Sequence, residues 1–183
     1  MKVRILNLIM AKRFSYGVIL LSFIIGVAVL NSAYWNPCVK TDFNFVFRYG
    51  HYNVKVKNEM NTFTDTYTKD MVIEDPITVK LCLTREDLDR IYRKMMEIEF
   101  FSYPNIFNVR QTGEVLGEGS HWYTFYLRVK KGTETKTVQW NSRYVVSGNE
   151  DYDRLKELAN LICEIVEAKP EYQRMPKPKS GYA

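Results

Sequence analysis

Apolar and polar positions divide the chain into one unbroken apolar run and a series of short periodic segments. Residues 14–39 carry no charge. The densest part lies between Tyr16 and Tyr34 and includes Val18, Leu20, Leu21, Phe23, Ile24, Ile25, Val27 and Leu30. A bilayer core of about 30 Å needs about 20 apolar residues in a helix. Gly17, Ser22 and Gly26 are tolerated inside such a helix, and Tyr34 and Trp35 suit the headgroup level. The pattern predicts a transmembrane helix, a signal anchor, over residues 14–37. A cleaved signal would want a shorter apolar region and a small-x-small site, and Asn31-Ser32-Ala33 fits that poorly. A lipid anchor on Cys38 would want small residues where Trp35-Asn36-Pro37 stand.

Beyond the run the period changes to two. Phe43, Phe45, Phe47 and Tyr49 alternate with Asn44, Val46 and Arg48, which predicts a strand with one aromatic face. Gly50-His51 reads as a turn, residues 52–57 as a second strand and residues 58–61 as a loop. In residues 62–71 threonines 62, 64, 66 and 68 share one face of a strand. Asp75-Pro76 breaks that run, and Ile77, Val79, Leu81 and Leu83 share a face of the next strand. The period then becomes helical. Thr84 caps a helix with Asp87 in its first turn, and Leu88, Ile91, Tyr92, Met95 and Ile98 form its apolar stripe. Phe100 to Pro104 ends it, and residues 105–120 read as a loop.

Residues 122–130 alternate again, with Tyr123, Phe125, Leu127 and Val129 against Trp122, Thr124, Tyr126 and Arg128. Lys131-Gly132 turns the chain into a return strand holding Lys136, Val138 and Trp140 on one face. Asn149 caps a last helix whose stripe is Leu155, Leu158, Ala159, Ile162, Ile165 and Val166, and Pro170 stops it. The rest, with Pro176 and Pro178, is an aperiodic tail laid along the domain. There is no regular strand–helix alternation, so the expectation is an α+β fold: an antiparallel sheet with two helices packed on one face. The implied organisation is a cytoplasmic basic segment 1–13, a membrane segment 14–37, one α+β domain 40–168 and a Pro-containing tail 169–183.

Charge orients this plan. The first 13 residues hold Lys2, Arg4, Lys12 and Arg13 and no acid, so the N-terminus stays cytoplasmic and the domain lies outside, or is secreted if the segment is cleaved. The formal net charge of +5 resides at the two ends, because residues 14–168 carry 18 bases against 20 acids. A basic face for nucleic acid is therefore not indicated. Cys38, Cys82 and Cys163 lack metal-ligand spacing, and His51 and His121 are the only histidines, so neither a metal nor a cofactor is implied. A Cys82–Cys163 disulfide is an option in an oxidising compartment; two buried thiols are the preferred expectation, with Cys38 the odd one by the membrane.

No catalytic set emerges. Ser120 and His121 are adjacent on a strand start and point apart. The glycines from Gly113 to Gly119 lack the strand-to-helix context of a phosphate cradle. Asp65, Asp70, Glu74 and Asp75 read as a solvated strand end. Trp122, Tyr126 and Trp140 are the candidate ligand-binding residues, as an aromatic platform on one face of the last hairpin.

At Thr66-Tyr67-Thr68-Lys69-Asp70-Met71, Ile77-Thr78-Val79-Lys80-Leu81, and Ile91-Tyr92 through Phe100-Phe101-Ser102-Tyr103-Pro104, the chain resembles a group of small exported or membrane-anchored bacterial proteins to which no function is assigned. The resemblance spans about residues 60–183 and implies export and a single α+β domain; it transfers no functional residue. The expected function is a binding or interaction module for a protein, peptide or glycan partner. The alternatives are an envelope hydrolase or transferase using acids of 65–75 or 105–121, and a structural subunit contacting its complex through the anchor.

Overall fold

The computed structural model describes residues 38–52, 55–107, 122–142 and 148–182. The expected membrane helix 14–37, the glycine-rich stretch and the Ser120-His121 pair lie outside the described residues. Among the described residues no helix is long and apolar enough to cross a membrane.

The aromatic alternation first read from the sequence makes β1 (Phe43–His51), the central strand of a seven-stranded sheet. On one side it pairs antiparallel with β2 (Asn58–Asn61), followed by β3 (Thr66–Met71) and the edge strand β4 (Glu74–Lys80). On the other it pairs with β6 (Tyr123–Lys131), then β7 (Glu134–Asn141), then the two-residue β5 (Ile106–Phe107). The β5–β7 pair is parallel and all the others are antiparallel. The expected α+β class with a largely antiparallel sheet is therefore observed.

Register decides the faces. Phe45 lies opposite Val129, Phe47 opposite both Leu127 and Met60, and Leu127 opposite Val138. Directly opposed residues share a face, so these side chains form one apolar surface, and each is essentially inaccessible to water. Two helices cover it. In α1 (Arg85–Glu97) the buried positions are Leu88, Ile91 and Met95; in α2 (Glu150–Glu167) they are Tyr152, Leu155, Leu158, Ala159, Ile162, Ile165 and Val166. All join one core with the sheet residues. Both helices start as anticipated. Thr84 Oγ accepts from the Asp87 amide at 3.2 Å while the Asp87 carboxylate accepts from the Thr84 amide at 2.8 Å, a complete capping box. Asn149 accepts from the Tyr152 amide at 2.8 Å. A one-turn helix α3 (Pro170–Gln173) follows, beginning at the proline that ends α2.

Three local expectations need correction. The second strand is residues 58–61, and the described part of 52–57 is not strand: of Asn-Glu-Met-Asn only Met60 is buried, so the segment has no apolar period of its own. The turn before β4 is at Val72 and Ile73, and Pro76 lies inside β4. A strand tolerates proline at a sheet edge, where its missing N–H faces no partner. The strand expected from Thr62 starts at Thr66, because Thr62 is drawn away: its buried hydroxyl accepts from the Phe45 amide at 2.8 Å.

The tail does lie along the domain. Met175 is buried, Lys179 pairs with Glu74, and Tyr182 hydrogen-bonds Asp70 while its ring stacks on His51 at 5.2 Å. Asp70 is consequently no solvated strand end. It is 7% exposed and also meets the Lys57 ammonium at 3.4 Å and the Val72 amide at 2.9 Å.

The sulfur chemistry is also corrected. Cys38 and Cys82 form a disulfide with a Cα–Cα distance of 5.0 Å, and Cys163 is free. Alternation explains the pairing: Leu81 and Leu83 point into the core, so Cys82 between them points away from α2, which carries Cys163.

Candidate functional site

Along α2, Tyr152, Lys156, Asn160 and Cys163 recur at helical spacing, in a row that starts at the buried Tyr152 and runs along the flank of the buried stripe. Opposite them stand inward-facing residues near one end of two adjacent strands: Tyr49 of β1, paired with Phe125 of β6, and Tyr123 two positions before it. Ser142, just past β7, closes one side. Between these groups is a cleft of about 430 Å³. It lies within the size range of small-molecule sites.

The rings of Tyr49, Tyr123, Phe125 and Tyr152 line it, and a tier of buried rings backs them. Trp140 stacks on Phe125 at 5.1 Å, Phe125 lies near-parallel to Phe47 at 6.4 Å, and Phe47 stacks on Tyr49 at 5.3 Å. The tier runs across three neighbouring strands, and offset parallel rings are a favourable arrangement. Tyr123 is 43% exposed at the mouth. Polar groups are few and placed. Ser142 Oγ accepts from the Tyr123 amide at 2.8 Å. The Tyr49 and Tyr67 hydroxyls are 2.8 Å apart. Lys156 and Asn160 are exposed at the rim.

The electrostatics favour holding a ligand over attacking one. Burial, with the Glu167 carboxylate adding to it, pushes the Cys163 thiol up to about 12. A thiol so raised stays protonated at neutral pH and is a poor nucleophile. Burial first, then neighbouring Tyr67 and Cys163, drives the Tyr49 phenol far above its ordinary range, so it too stays neutral. No histidine or carboxylate is among the described residues lining the cleft, so the arrangement offers no acid–base pair.

The sequence-derived platform does not form as a unit. Register pairs Trp140 with Phe125 and Gln139 with Tyr126, so Trp140 is on the covered face and Tyr126 on the opposite one. Trp140 is 1% exposed, behind Phe125, with its indole N–H buried and unpartnered. Tyr126 has the Arg48 guanidinium over its ring at 5.4 Å. Trp122 precedes β6 with its ring edge-on to Tyr52 at 6.4 Å. The signal was present: a two-residue hairpin turn pairs odd positions with even ones, which excludes Tyr126 and Trp140 from a common face. The acids of the 65–75 region do not converge on a cleft: Asp65 pairs with Lys80, Glu74 with Lys179, and Asp70 is enclosed. Asp65 also lies near the two bonded sulfurs, which as a disulfide offer no thiolate to a metal.

Neither a family model nor a curated protein matches the chain.

Proposed function

We propose that the protein is a membrane-tethered binding module, with residues 14–37 as its anchor, residues 1–13 in the cytoplasm and the α+β domain outside. The observation that carries the binding reading is the ring-walled cleft between α2 and the β1–β6 strand ends, which has polar groups at its rim and no acid–base pair. Its location is supported by the Cys38–Cys82 disulfide, since such bonds persist in oxidising compartments and are rare in the cytosol. The disulfide also ties Cys38, the residue after the proposed anchor, to Cys82, two residues past β4, so the domain is stapled close to where the chain would leave the bilayer.

The test is site-directed photo-crosslinking in living cells. A photoreactive phenylalanine replaces Tyr123, itself an aromatic at the cleft mouth, or Thr135 on the opposite face of the sheet as control. An adduct at 123 and none at 135 is expected. Equal adducts at both sites, or none at 123, would overturn the assignment.

A further inference from the structure

We infer that the cleft takes a small planar anion: an aromatic or conjugated ring system bearing one carboxylate or comparable acidic group. This rests on the cleft being the ligand site and goes beyond it in naming the ligand's chemistry. Shape and charge each contribute. The Trp140–Phe125–Phe47 tier has interplanar angles of 16° and 14°, and the Phe125 ring lines the cleft. Phe125 is the middle ring of that tier, so a ligand meets its edge together with the rings of Tyr49, Tyr123 and Tyr152, and a flat aromatic ring makes edge-to-face and offset contacts with this set that a saturated, puckered ligand does not. The volume of about 430 Å³ suits a one- or two-ring molecule with its polar group at the mouth.

Charge then selects the polar group. Lys156 is the one cation among the described lining residues, no carboxylate lines the cleft with it, and it makes no ion pair with a described residue. Its neighbour one turn later, Asn160, offers an amide N–H on the same rim. A carboxylate placed there accepts from an ammonium and an amide together, a charge-assisted pair stronger than a neutral one. The Tyr49 phenol and Cys163 thiol remain protonated at neutral pH, so neither places a negative charge in the anion's path.

Titration calorimetry on the full chain in a neutral detergent, with the empty-micelle heat subtracted, separates the two levels of the claim. The probes are 2-naphthoate and its uncharged isostere 2-naphthamide. Naphthoate is expected to bind more tightly, and Lys156→Gln to weaken naphthoate about fivefold while leaving naphthamide unchanged. Asn160→Trp, an exposed helix position that fills the mouth, is expected to abolish both; circular dichroism verifies that this variant is folded. If the two probes bind alike and Lys156→Gln treats them alike, the anion inference fails while the cleft stands. If neither probe binds, or Asn160→Trp leaves both unaffected, the cleft itself is overturned as the site.

Discussion

Asp70 shows how much one side chain can hold. Its carboxylate ties Lys57 ahead of β2, the Val72 turn and Tyr182 at the far end of the chain. Burial alone would raise its pKa, but the Tyr182 hydroxyl, the Val72 amide and the Lys57 ammonium outweigh that and hold it below the ordinary value. A carboxyl depressed in the folded state adds stability above its unfolded pKa, and that stability is lost as pH falls through the folded one. Asp70→Asn should therefore cost about 1–3 kcal/mol at pH 7. The difference from the wild type should shrink below about pH 4, as denaturant melts at pH 7 and pH 3 would measure. In the sequence Asp70 looked like one acid among four. Its burial depends on Tyr182, 112 residues away, and short-range patterning carries no information on such a pair. Trp140 differs: its face followed from hairpin parity, so the platform of Trp122, Tyr126 and Trp140 was separable from sequence alone.

At the scale of elements, regular segments were legible where one face is strongly apolar. The β1 aromatics, both helix stripes and the Thr84 and Asn149 caps stand where periodicity put them. Segments held by their neighbours were not. β2 buries only Met60, and β5 is two residues long; neither has a period of its own. The β3–β4 turn was hidden for another reason: its residues are Val72 and Ile73, and Val72 has φ 66°. That conformation suits asparagine or glycine and strains a β-branched side chain. Val72→Asn should consequently raise stability by about 0.5–1 kcal/mol, read as a shift of the urea midpoint at unchanged slope. A loss of stability would mean that Val72 makes packing contacts that outweigh its backbone strain.

For the whole molecule, one core joins the sheet, α1, α2 and Met175 of the tail, and the cleft exists because α2 leaves the β1–β6 ends partly uncovered. The cleft could not be read from the chain, since its walls come from two strands, a helix and Ser142 just past β7, brought together only by the fold. The proposed compartment rests on the apolar stretch with the basic residues before it and, independently, on the Cys38–Cys82 disulfide, a pairing that no spacing in the chain indicates. Both bear on the oxidation state of three cysteines. The direct measurement is a thiol count: acid-quenched cells, denaturation without reductant, and alkylation with a mass-tagged maleimide. One reactive thiol, Cys163, is expected, rising to three after reduction, with Cys38 and Cys82 recovered in one linked peptide pair. Three reactive thiols before reduction would contradict it and return the domain to a reducing compartment.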